Sequence, residues 1–223
     1  MNDPEEGFSI NEAVFERSEM VEALAGLAQA PITRTKAGAR HVLHVPVVRR
    51  LATDRRLLEI AARFLGPTPV PFRATLFDKS RASNWLVVWH QDTALPLCAR
   101  VQDPSWGPWS DKSGILYAHA PAWALGTIVA LRVHLDDSTA ENGPLRVLPG
   151  THMEGVLSDH AMRQLARNVE PIDCLAASGG VVAMRPLTVH ASSKASGRNP
   201  RRVLHLEYAA SVHLGTGIEL AVG

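Results

Sequence analysis

Cysteine is nearly missing from this chain: Cys98 and Cys174 are the two in 223 residues, too few for a disulfide framework or a thiolate metal site. They read as free thiols in a reducing compartment. Long apolar runs are missing too, since no uncharged stretch approaches the roughly 20 residues that span a bilayer. A transmembrane helix is therefore not expected. The first ten residues lack the cationic start and apolar run of a secretory signal and carry Asp3, Glu5 and Glu6 instead, so the expected location is cytoplasmic. Charge of one sign is also scarce. Lys and Arg number 23 against 22 Asp and Glu, a net +1 spread along the chain, which leaves no footprint for nucleic acid or an anionic membrane. The expected partner is a small molecule, and the sequence says nothing of oligomeric state. There is no internal repeat or linker. What is present is ordinary globular composition, 46% hydrophobic and 20% charged, so residues 1–223 are expected to form one domain.

Periodicity divides that domain near residue 66. Met20, Val21, Leu24, Leu27 and Ala28 recur at helical spacing, with Asn11 as a candidate cap upstream. A second helix runs from a Thr53-Asp54 cap through Leu57, Leu58, Ala61, Phe64 and Leu65 to the stop at Gly66-Pro67. From residue 67 the texture becomes short β-rich runs broken by Pro, Gly, Asp and Asn, which predicts a sandwich or barrel rather than βαβ units. Strands are expected near 72–77, 84–90, 127–135, 145–148, 180–184, 188–191 and 201–209, with turns at Asn142-Gly143 and Pro149-Gly150. Residues 153–168 read as a loop with a short helix. The simplest assembly is a mainly β structure of two sheets with the N-terminal helices packed on one of them. The connection from Thr93 to Pro121 carries few strand signals and reads as a lid or binding loop.

The chemistry concentrates in Trp85-Leu86-Val87-Val88-Trp89-His90-Gln91-Asp92. Alternation along an extended chain puts Asn84, Leu86, Val88, His90 and Asp92 on one side, so an imidazole and a carboxylate two residues apart can converge on one point. His190, on a distant expected strand, can complete a two-histidine, one-carboxylate face that leaves positions open for co-substrate and oxygen. The three-residue pattern is weak alone. It gains weight from Arg201, eleven residues past His190, whose planar fork suits the distal carboxylate of 2-oxoglutarate. Arg202 is the rival. Alternation groups Arg201, Val203, His205 and Glu207 against the more apolar Arg202, Leu204, Leu206 and Tyr208, which turns Arg201 toward a pocket and the second set toward the helices.

These residues, with Leu131-Arg132-Val133-His134-Leu135-Asp136-Asp137 and the run from Glu141-Asn142-Gly143-Pro144 to Pro149-Gly150-Thr151-His152, resemble the phytanoyl-CoA dioxygenase family over most of the chain. Gly179-Gly180 departs from the Gly-Asp often found in relatives. The resemblance implies a double-stranded β-helix, the cupin-like jelly roll, and an iron(II) and 2-oxoglutarate dependent dioxygenase that consumes O2. It implies His90, Asp92 and His190 as metal ligands, Arg201 as the 2-oxoglutarate anchor and Ser192 as its helper, with no catalytic acid or base beyond the ligands. Halogenating relatives lack the carboxylate ligand, so Asp92 points to an enzyme that hydroxylates or otherwise oxidises a small organic molecule, with release of succinate and CO2. The competing reading is a non-oxidative or non-catalytic metal- or ligand-binding cupin-like protein.

Other residues carry two readings each. Asn84 is a candidate to hydrogen-bond 2-oxoglutarate or substrate, or else a turn residue opening a strand. Trp106, Trp109 and Arg100 are candidate substrate contacts from the lid, against plain anchoring of a loop by aromatic packing. Gln91 can support the metal site from behind. Lys79 and Arg73 can supply positive charge near the barrel mouth or else read as solvated surface, the favoured reading; His134 and His205 read as buried structural histidines, and Trp85 and Trp89 as core residues on the face away from His90.

Overall fold

The computed structural model describes residues 4–80 and 83–223 of the protein. In chain order the elements are β1 (Phe8–Asn11), α1 (Arg17–Gln29), β2 (Gly38–Arg40), α2 (Pro46–Ala52), α3 (Arg55–Leu65), β3 (Val70–Lys79), β4 (Val87–His90), β5 (Ala94–Leu97), β6 (Trp109–Lys112), β7 (Ile115–His119), α4 (Ala122–Leu125), β8 (Ile128–His134), β9 (Leu145–Val147), α5 (Asp159–Asn168), β10 (Ile172–Cys174), β11 (Val181–Met184), β12 (His190–Ser192), β13 (Arg201–Ala209), β14 (His213–Gly215) and β15 (Ile218–Glu219). Six antiparallel strands in the order β1-β11-β8-β13-β3-β2 make the larger sheet, and β10-β9-β12-β4 make a smaller one. The fold is mainly β, a cupin-like jelly roll carrying helices on one sheet.

Period-2 alternation decides what each face of the large sheet does. Val129, Leu131 and Val133 of β8, Val181 and Ala183 of β11, and Leu204, Leu206 and Tyr208 of β13 share one buried cluster with Met20 and Leu27 of α1 and Leu57, Ala61 and Phe64 of α3. That cluster is the core beneath the helices. The other face points between the sheets. At one end it is apolar, where Ala130, Val182 and Met184 meet Leu145, Val147 and Cys174. At the other end Arg132, His134, His205 and Glu207 are buried, and polar groups in that setting need partners or a ligand.

The helix α3 starts as its sequence predicts, with the Asp54 carboxylate accepting from the Arg56 amide, and stops at Gly66. Two expectations are corrected. Asn11 does not cap α1: it ends β1, and the cap is Glu16, in a reciprocal capping box with Glu19. The connection from 93 to 121 is not a structureless lid, because β5, β7 and β6 form an antiparallel three-stranded sheet within it. Pro96 and a tight turn at Ser113-Gly114 mask the strand pattern, and cross-strand pairing of Leu95 with Ala118 and Trp109 with Ala118 supplies what local propensity lacks.

Candidate metal centre

His90 and His190 are direct partners across β4 and β12, which sets their rings 4.1 Å apart between centroids. Asp92 follows the end of β4, and its amide donates to the Pro186 carbonyl at 2.9 Å, so the strand bearing the carboxylate is tied to the segment that leads into His190. The Nδ1 of His90 lies 2.8 Å from the Val88 carbonyl and the Nδ1 of His190 lies 2.8 Å from the Thr188 carbonyl. A carbonyl only accepts, so both Nδ1 atoms carry hydrogen and both Nε2 lone pairs are directed elsewhere. They face one carboxylate: His90 Nε2 is 3.7 Å from Asp92 Oδ1 and His190 Nε2 is 3.5 Å from Asp92 Oδ2. All three donor atoms lie within 4.8 Å of one another. Two neutral imidazoles with preset lone pairs and one carboxylate form a facial donor set suited to a divalent transition metal. Burial opposes ionisation of Asp92, yet His190, His205, His90 and Arg73 outweigh it and hold the carboxyl below its ordinary range. Burial, helped by His90 and Arg132 and opposed by Asp92, pushes His190 down to about 4, so it is neutral and ready to ligate at neutral pH.

The phase of β4 departs from the sequence expectation. A β-bulge between His90 and Val87, opposite His190 and Ser192, adds one residue to β4. Trp85 and Val87 consequently line a cavity of about 120 Å³ together with His90, Asp92 and His190, whereas Leu86 and Val88 are exposed. Trp85 therefore belongs to the site and not to the opposite face. Trp89 remains outside, with the Arg146 guanidinium 5.1 Å over its ring.

The far wall of that cavity is cationic. Arg201 pairs across the sheet with Lys79, an arrangement that repels when two like charges stand directly opposite. Both are buried, as is Arg132, and among the described residues none has a carboxylate within ion-pair distance. Lys79, expected on the surface, donates to Ser192 Oγ at 2.9 Å and to the Ser193 carbonyl at 2.7 Å. Ser192 Oγ also accepts from Arg201 Nη2 at 3.2 Å and donates to the Gly143 carbonyl at 2.9 Å. Gly143 is required there: its φ is +67°, and a Cβ would stand 2.3 Å from the Ser193 carbonyl. Burial and the neighbouring Arg132 push the Arg201 guanidinium below its ordinary range, and burial, Arg201 and Arg132 push Lys79 down to about 8. Arg201 Nη1 is buried without a hydrogen-bond partner. The chemistry of such a corner suits an anion.

Arg202 points outward and grips Asp136 with two side-chain bonds of 2.7 Å, which removes it as the rival anchor. Asn84 ties two loops: its amide donates to the Ala195 carbonyl and its oxygen accepts from the Ala195 amide. Gln91 behaves similarly, donating to the Gly155 and Leu187 carbonyls and accepting from the Leu157 amide. It braces the ligand strand. Trp106 is buried with Leu95, Leu97 and Ala118, Trp109 packs on that cluster, and Arg100 stacks on Trp109 at 5.2 Å. None of the three lines the cavities beside the donor set. The sequence pattern does not single out Arg132 as a site residue and favours solvated surface for Lys79; the pairing of β13 with both neighbours, invisible locally, is what gathers them. A groove of about 930 Å³ beside β1 and α3 lies outside the donor set.

Two buried histidines behind the site set a pH dependence. Burial, then Arg132, pushes both His134 and His205 down to about 3, and His205 Nδ1 accepts from Arg132 Nη1 at 3.1 Å, which requires a neutral ring. Between about pH 6.5 and 3 these two histidines bind two protons in the unfolded chain that they refuse in the folded one, so they lower stability as pH falls by roughly 3 kcal/mol per unit when both contribute fully, and His190 adds to the loss in the same direction. Melting of the metal-free protein is expected to drop steeply below about pH 6. His134→Leu is expected to remove about one proton of that linkage, read as a shallower slope of Tm against pH.

A two-sheet β scaffold with a facial His-Asp-His set and an anion-ready arginine defines a mononuclear non-haem iron oxygenase site. The chain belongs to the phytanoyl-CoA dioxygenase family, whose model matches residues 12–203; members use iron(II) and 2-oxoglutarate, and the donor set found here fits those cofactors. No curated protein matches the chain in sequence. Among solved structures, AviO1 from Streptomyces viridochromogenes Tue57 superposes with a TM-score of 0.65 at 21% identity, covering 92% of this chain and 90% of that one. EctD from S. alaskensis, crystallised with 2-oxoglutarate and 5-hydroxyectoine, gives 0.69 at 20% identity over 92% and 72%. The non-haem alpha-ketoglutarate dependent epimerase SnoN, from nogalamycin biosynthesis, gives 0.68 at 20% identity over 94% and 80%. At these identities the likeness is one of fold. No helix of the described residues is long and apolar enough to cross a membrane.

Proposed function

We propose that residues 1–223 act as one catalytic domain that hydroxylates a small organic molecule with consumption of O2 and 2-oxoglutarate and release of succinate and CO2. The supporting observation is that three metal donors and an arginine with an unpaired, buried Nη1 meet in one cavity. In this reading His90, Asp92 and His190 hold iron(II). Arg201 and Lys79 bind the distal carboxylate of 2-oxoglutarate, and Ser192, fixed by Gly143, orients both cations. When bound, the metal and co-substrate supply oxygen activation coupled to oxidative decarboxylation. The chain's own contribution is placement and exclusion of water, the latter through Trp85, Val87, Phe77 and Leu145 around the cavity. No side chain needs to move a proton. Asp92 occupies the position where a halide would enter, which favours hydroxylation.

The test uses purified protein with iron(II), ascorbate and oxygen. Succinate release from 2-oxoglutarate is expected even without a second substrate. Nickel(II) with 2-oxoglutarate is expected to raise Tm, corresponding to about 2.7 kcal/mol at a hundredfold excess over Kd. A chain that binds nickel yet shows neither a further 2-oxoglutarate shift nor succinate release is the non-oxidative metal-binding protein instead.

A further inference from the structure

A second cavity, about 290 Å³, adjoins the donor set at Asp92 and shares Asp92 and Phe77 with the first. Its walls come from the edge of the large sheet and from the small β5-β7-β6 sheet. Arg40, the last residue of β2, and Lys112, the last of β6, both line it, with Tyr117 of β7 and Phe77 of β3 as its aromatic surfaces.

The charge of this chamber is unbalanced. Arg73 is neutralised by a buried pair with Glu207, and Asp92 belongs to the metal donors. Arg40 and Lys112 have no carboxylate within ion-pair distance among the described residues. Lys112 does not swing freely into solvent: its ammonium rests 4.6 Å over the Tyr117 ring, held to the chamber by a cation–π contact. Burial, then Arg40 and Arg73, lowers its pKa. Behind it His41 adopts φ +55°, and its Nε2 lies 3.5 Å from the Tyr117 hydroxyl. A non-glycine residue in that conformation is uncommon and marks a backbone held in place by its surroundings.

Resting on the oxygenase reading above, we infer that this chamber is the substrate site and that its substrate is a small organic anion, its carboxylate or phosphate held between Arg40 and Lys112 and its apolar body against Phe77 and Tyr117. The two cationic corners then divide the work. Arg201 and Lys79 take the co-substrate in the first cavity, while Arg40 and Lys112 take the substrate in the second. The carbon to be oxidised is thereby turned toward Asp92. A chamber of about 290 Å³ stands at the lower limit of ligand pockets, near 300 Å³, so the enclosed part of the substrate is about the size of one aromatic ring with its anionic group.

The test measures Tm of the nickel–2-oxoglutarate protein with benzoate, phenyl phosphate and the neutral benzyl alcohol. Both anions, or one of them, are expected to raise Tm while benzyl alcohol does not; the stronger of the two identifies the headgroup. Arg40→Gln and Lys112→Gln lie on an exposed edge and a half-buried strand end, and each is expected to weaken the anion by about tenfold while keeping the nickel and 2-oxoglutarate response. Three results overturn the inference: no anion-dependent shift, an equal shift with benzyl alcohol, or an anion shift that survives both substitutions and disappears when 2-oxoglutarate saturates. If instead the benzoate shift depends on Lys112 but no 2-oxoglutarate response exists, the anion chamber stands and the oxygenase reading fails.

Discussion

Asp92→Ala is expected to end succinate release, by roughly three orders of magnitude or more, since loss of a ligand exceeds the 10- to 100-fold typical of losing a group that merely supports one. The carboxylate is the centre of this arrangement. Both Nε2 atoms face it, at 3.7 and 3.5 Å, and its carboxyl is held below the ordinary range despite burial. Without it two imidazoles face each other across a cationic cavity, and a divalent ion has two neutral donors in place of a charged three-donor face. Nickel-dependent stabilisation should vanish together with turnover, while far-UV circular dichroism stays that of the parent. Retention of the nickel response and of succinate release in Asp92→Ala would place the metal elsewhere.

What was legible in the sequence follows how local each signal is. The strand β13 begins at Arg201 and alternates as its composition states, because a strand at the centre of a sheet faces helices on one side and the site on the other. The helix α3 is equally plain, with Asp54 at its start and Gly66 at its end. The donors His90, Asp92 and His190 are brought together. Failures occurred where one residue or one long-range pairing decides. The bulge in β4 shifts the inward set from Asn84, Leu86 and Val88 to Trp85 and Val87 while leaving His90 and Asp92 inward, and no alternation rule registers an extra residue. Lys79 looks like a surface lysine ending a strand; its burial follows from standing opposite Arg201. The β5-β7-β6 sheet is short, contains a proline and depends on pairing between segments, so it reads as a loop although it forms a wall of the second cavity.

The burial of Lys79 gives the second large expectation an unusual sign. Arg201→Met keeps the length of the side chain and removes its charge, and it is expected to raise KM for 2-oxoglutarate about 100-fold or more, because truncating one partner of a buried charge-assisted pair costs 2–5 kcal/mol. Arg201→Lys keeps the charge without the fork and is expected to lose about tenfold. Stability should move the other way. In the metal-free protein Arg201 faces Lys79 across the sheet, lies near Arg132 and leaves Nη1 buried without a partner, so the methionine relieves repulsion and an unsatisfied donor while giving up bonds to Asn142 and Ser192. The Tm of metal-free Arg201→Met is therefore expected to equal or exceed that of the parent. Arg202→Met is the internal contrast: it breaks the Arg202–Asp136 pair on the outer face, where a loss of stability with an unchanged KM for 2-oxoglutarate is expected. If Arg201→Met binds 2-oxoglutarate as the parent does, or if Arg202→Met is the variant that loses it, the anchor has been assigned to the wrong face of β13.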